Sequence, residues 1–236
     1  MYGAMFAEYI RKILKGTYTS PEALTLNNMS SAIFEGIVKA GKNTDELSIK
    51  ESLYNSLKKY DGISDRYVSK EYCVKGIASV GWFFNSLEKT REVTRLVGEV
   101  TKNYPSQIKD AEIISSIIYL SRNGYSKSEI NKYLEKEFSF DKRNEDIVSK
   151  AFSIFFDLGD SKAFGEVLGN NQIESDLLVC LVAAMSEAFF PDFESVYDSR
   201  GWVSLFTRMN YRFLQKFDKI QEPLQAKLKN IRQQTN

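Results

Sequence analysis

Between Pro105 and the pair Asn123-Gly124 the chain reads PSQIKDAEIISSIIYLSRNG. At helical spacing Ile108, Ala111, Ile114 and Ile118 share one face, and Ile113, Ile117 and Leu120 share a neighbouring one. A helix that is apolar over two faces has no broad side to offer water, so it must be buried nearly all round by other elements. The flanks supply such elements. Behind Val80-Gly81-Trp82 an apolar series at Phe83, Phe84, Leu87, Val93, Leu96, Val97 and Val100 predicts one amphipathic helix that Pro105 closes. After Asn123-Gly124, Ser126 and Glu129 form a capping-box pair ahead of Ile130, Tyr133 and Leu134.

The rest of the chain reads as helices with short connections. Met5, Phe6, Tyr9, Ile10 and Ile13 predict a helix over 2–14, ended by Gly16-Thr17. Ser20 is a good N-cap, Pro21 suits the first helical position and Glu22 complements the dipole of a helix that runs to about residue 39, burying Leu24, Met29, Ile33, Ile37 and Val38. Leu47, Ile49, Leu53 and Leu57 predict a helix over 45–58, and Tyr60-Asp61-Gly62-Ile63-Ser64 is turn chemistry. Helices are further expected over 143–158, 161–168 and 177–190, the last apolar nearly throughout. Beyond Pro223 the Lys- and Gln-rich residues, with Leu224, Leu228 and Ile231, suggest a helical or flexible extension over about 218–236. The expected fold is all-α, a single-domain orthogonal multi-helix bundle over 1–236.

Composition narrows the chemistry. Lys and Arg total 32 against 31 Asp and Glu, so no global field recommends nucleic acid or an acidic membrane. No apolar run reaches about 18 residues and no basic-then-apolar leader precedes the first helix, so a cytoplasmic protein without membrane partners is expected. Cys73 and Cys180 match no metal spacing and read as buried thiols. Histidine is absent, which removes the commonest general base and zinc ligand together. Any reaction would fall to carboxylates, Lys, Tyr, Cys or a hard metal.

The order Val-Gly-Trp, Asn-Ser-Leu-Glu-Lys-Thr, Val-Thr-Lys-Asn-Tyr-Pro, an Ile-rich helix, then Tyr-Ser-Lys-Ser-Glu-Ile over 80–130 resembles the central part of the ADP-ribosylglycohydrolases, of the dinitrogenase-reductase-activating glycohydrolase type. The resemblance implies an all-helical fold. It also implies a site at which two magnesium ions help remove ADP-ribose from modified proteins or related substrates.

At the positions that the resemblance assigns to the site, this chain departs repeatedly. The family's Met-Tyr-Gly-Ala opening and its Gly-Asp pair lie over Met1-Tyr2-Gly3-Ala4 and Ala7-Glu8, so Glu8 keeps an acid where the glycine is lost. Thr19 matches the first residue of a Thr-Asp-Asp-Thr metal motif, but Ser20 and Pro21 stand where two ligand aspartates belong, and the segment reads equally as the helix start described above. Lys70, Glu71 and Tyr72 occupy a Gly-Asn-Gly loop, where Tyr72 would stack on an adenine, close the pocket or simply pack at the rim. Lys102, Asn103 and Tyr104 lie over His-Asn-His ahead of Pro105. Glu174 and Asp176 keep the acids of a late Gly-Gly-Asp-Ser-Asp-Thr motif, although acids at a helix start are also what the helix dipole favours.

Thr19, Glu174 and Asp176 are the surviving metal-ligand positions, half of the implied set. A binuclear magnesium centre needs more carboxylates than that. The expectation is therefore a degenerate, catalytically silent member with no cofactor, a pseudoenzyme that binds a protein or an ADP-ribose-like ligand, for example in an inhibitor or immunity-type role. The alternative is a divergent hydrolase using one magnesium on Glu174 and Asp176, with Glu22 or Glu8 as further acids. A purely structural role is the third reading.

Overall fold

The computed structural model describes residues 25–42, 44–59, 76–170, 173 and 175–190, all inside one compact unit spanning Met1–Val196. Nine helices and no strand occur among them. They are α1 (Thr25–Ala40), α2 (Glu46–Lys59), α3 (Ala78–Phe83), α4 (Leu87–Val100), α5 (Pro105–Arg122), α6 (Lys127–Phe138), α7 (Ile147–Asp157), α8 (Ala163–Gly169) and α9 (Asp176–Phe189). The all-α class expected from the sequence holds for these residues, and none of their helices is long and apolar enough to cross a membrane. The expected helix over 2–14, the helix start at Ser20, the turn at 60–64, Cys73 and everything after residue 190 lie outside the described residues.

The Ile-rich helix, α5, is central. It touches α3, α4, α6 and α9, and Ala111, Ile113, Ile114, Ile117, Ile118 and Leu120 are all buried. Two glycines let neighbours approach it closely. A Cβ at Gly81 would stand 2.7 Å from Ile118 Cγ2 and 2.9 Å from Ser115 O, and one at Gly98 would meet the Ile108 side chain. Polar contacts join the same helices. Thr94 and Ser115 hydrogen-bond at 2.9 Å inside the core, and the buried Glu112 carboxylate takes Arg95 Nε on one oxygen while Arg91 stands 3.7 Å from the other. Arg91 also reaches Glu137 at 3.5 Å and lies 4.8 Å over the Phe138 ring, which ties α6 to α4.

Two local expectations are corrected. The apolar series from Phe83 to Val100 is not one helix: Phe84 is extended (φ −90°, ψ 151°), and Ser86 starts a new helix by accepting Lys89 N–H on its Oγ at 3.1 Å. Arg122 holds the break, donating from Nε to Gly81 O at 2.8 Å and from Nη2 to Phe84 O. The helix expected from residue 143 begins at Ile147, because the Asp146 carboxylate caps it by accepting from Val148 N at 3.0 Å and Ser149 N at 2.9 Å. Leu47 is 75% exposed while Ile49 and Leu53 are fully buried. Two helical positions put Leu47 about 200° round the axis from Ile49, on the water side.

Candidate functional site

The turn 101–104 joins α4 to α5 and is built by its backbone. Lys102 takes a left-handed conformation (φ 55°). Its N–H donates to Glu99 O at 3.0 Å and that of Asn103 to Gly98 O at 2.9 Å, the paired bonds of a Schellman helix end. Asn103 turns inward, its Nδ2 donating to Thr101 Oγ1 at 2.6 Å. Tyr104 precedes the proline that opens α5, and its backbone N–H donates to Gln107 Oε1 at 2.9 Å. Its ring is left 68% exposed. Lys102, Asn103 and Tyr104 are thus consecutive residues of one turn, with Lys102 and Tyr104 exposed and Asn103 half-buried.

Asp176 is the first residue of α9. Ser175 caps that helix, its Oγ accepting from Leu178 N at 3.2 Å, so the carboxylate stands in the first turn where the dipole favours it. α9 lies against both α5 and α7. The C-terminal ends of α7 and α9 meet through the Phe155 and Phe189 rings, with centroids 5.5 Å apart. At their other ends Asp146 caps α7 and Asp176 lies in the first turn of α9.

Asp110 lies one turn and a half into α5, close enough to Asp146 for the two charges to interact. Partial burial, with the Asp146 charge as second cause and Lys109 opposing, raises its carboxyl to about 6. The sequence reading passed over Asp110 and Asp146. A signal for Asp110 was present: it sits three residues before Ile113 and four before Ile114, an acid on a face otherwise given to the core. Asp146 carried only the generic pattern of an N-cap.

Among the described residues no group of three or more His, Cys, Asp or Glu side chains converges as metal ligands would. Thr19 and Glu174, which the resemblance places with Asp176, lie outside the described residues, as do Glu8, Ser20, Pro21, Glu22, Lys70, Glu71 and Tyr72. Cys180 is buried on α9. No family model, curated protein or solved structure matches this chain.

Proposed function

We propose that this chain is an ADP-ribosylglycohydrolase-like protein that has given up hydrolysis and acts by binding, its partner being a protein or an ADP-ribose-like ligand. The observation that carries this reading is the 102–104 turn. Lys102 holds a left-handed backbone that favours glycine, and Tyr104 presents an aromatic ring to solvent, at the two positions where the resemblance places histidines. A strained turn that leaves Lys102 and Tyr104 exposed between two helices suits recognition, since exposed tyrosines make strong interface anchors. The substitutions at Ser20, Pro21 and Lys70 to Tyr72 support the loss of hydrolysis from the sequence side.

The test is direct. Purified full chain is given ADP-ribosylated protein and magnesium, alongside the Asp176→Ala variant, and ADP-ribose release is measured with binding of free ADP-ribose followed in parallel. No release from either protein is expected. Magnesium-dependent release that Asp176→Ala abolishes overturns the reading.

A second reading, a hydrolase with one magnesium on Glu174 and Asp176, draws on the Asp176 carboxylate in the first turn of α9. It requires millimolar magnesium to raise the thermal midpoint, because an ion that binds only the native state stabilises it.

A further inference from the structure

At the far end of α9 from Asp176, an ammonium group sits in an aromatic box. Lys127 Nζ, from the first residue of α6, stands 4.8 Å from the Phe155 ring centroid and 5.2 Å from those of Phe189 and Phe190. The rings are braced edge to face, Phe155 on Phe189 and Phe189 on Phe190 at 5.5 and 5.1 Å. The open side of the box is lined by carbonyls: Nζ donates to Phe156 O at 3.2 Å and also to Leu158 O. Neither α7 nor α9 has a basic residue in its own last turn. The charge that complements both C-terminal ends therefore comes from a third helix.

We propose that Phe155, Phe189 and Phe190, with the Phe156 and Leu158 carbonyls at the end of α7, form a receptor for a primary alkylammonium ion, and that Lys127 is its built-in occupant, locking α6, α7 and α9 together through charge. The inference is independent of the functional reading above. Three ring faces around a cation, closed by carbonyl acceptors, is the chemistry that binds ammonium groups and rejects neutral ones of equal size. An apolar filler in the same space would leave the Phe156 and Leu158 carbonyls without this donor. Burial lowers the Lys127 pKa, with the Asp157 charge opposing, as expected for an ammonium drawn from water into such a box.

The experiment compares thermal unfolding of the full chain as wild type, Lys127→Met and Lys127→Ala. The alanine variant is titrated with propylammonium, which restores the deleted atoms, and with 1-propanol, which restores the length without the charge. Expected are a midpoint several degrees lower for both variants and a saturable recovery of Lys127→Ala by propylammonium alone. A Lys127→Met protein as stable as wild type overturns the proposal, as does recovery by 1-propanol equal to that by propylammonium, or none by either. Should Lys127→Ala fail to fold, wild-type NMR decides: the Lys127 Cε protons must resonate well upfield through the ring currents, and unshifted protons overturn the proposal.

Discussion

The Asp110 carboxyl on α5 is raised to about 6 by burial and by Asp146, the residue that caps α7. The raised value fixes the sign of a pH effect. Between about 3.8 and about 6 the folded chain holds a proton on Asp110 that the unfolded chain has released. Stability from this group therefore falls as pH rises through that window and is flat above it. Asp110→Asn should stabilise the protein at pH 7 and lose that advantage by pH 4, as read by urea unfolding at both values. The gain is modest because Asp110 is only half-buried. An equal effect at both pH values would contradict the assignment.

Lys102 sits in a left-handed conformation that costs a non-glycine residue about 1 kcal/mol. Lys102→Gly should raise stability by up to that amount. If the turn serves recognition, the same variant should bind ADP-ribose or its protein partner less well. A loss of stability on this substitution would show that the Lys102 side chain contributes more than its backbone strain costs.

Tyr104→Ala tests presentation without disturbing the fold. The ring is exposed and the bond to Gln107 uses the backbone, so stability should change by less than about 0.5 kcal/mol. Binding should weaken by roughly tenfold or more if the ring is an anchor. Calorimetric titration with ADP-ribose and with an ADP-ribosylated protein measures the second quantity.

Gly81→Ala and Gly98→Ala should differ. At Gly81 the new methyl meets the Ser115 carbonyl at 2.9 Å and the branched Cβ of Ile118 at 2.8 Å, neither free to rotate away, which should cost roughly 1–3 kcal/mol. At Gly98 the closest neighbours belong to the half-buried Ile108 side chain, which can shift toward solvent. Urea midpoints should rank Gly81→Ala below Gly98→Ala.

Removing the Glu112 carboxylate strips Arg91 and Arg95 of a shared partner between α4 and α5. Glu112→Ala should destabilise by about 1–3 kcal/mol, less than a fully buried pair would, because Arg95 is half exposed. Arg95→Ala should cost less than Glu112→Ala, and a double-mutant cycle separates the coupling from the deletion.

Much of this architecture could be read from spacing alone. The burial of α5, the apolar length of α9 and the Ser126–Glu129 capping box are visible because helical periodicity and capping are properties of neighbouring residues, present before any helix meets another. Of the candidate site, the helix start beside Asp176 was legible for the same reason. What the sequence could not decide depends on residues far apart in the chain. The apolar run through Phe84 looked unbroken because the guanidinium that secures its break belongs to Arg122, 38 residues away. Which face of α2 meets α1 and α4, leaving Leu47 in water, is settled by packing, not by the helix itself. Asp110 acquired its raised carboxyl, and Lys127 its box of three rings, only when helices remote in sequence were laid side by side. Local spacing set which residues could be helical and buried; desolvation and charge at the contacts between helices, which exist only in the folded chain, set what those residues became.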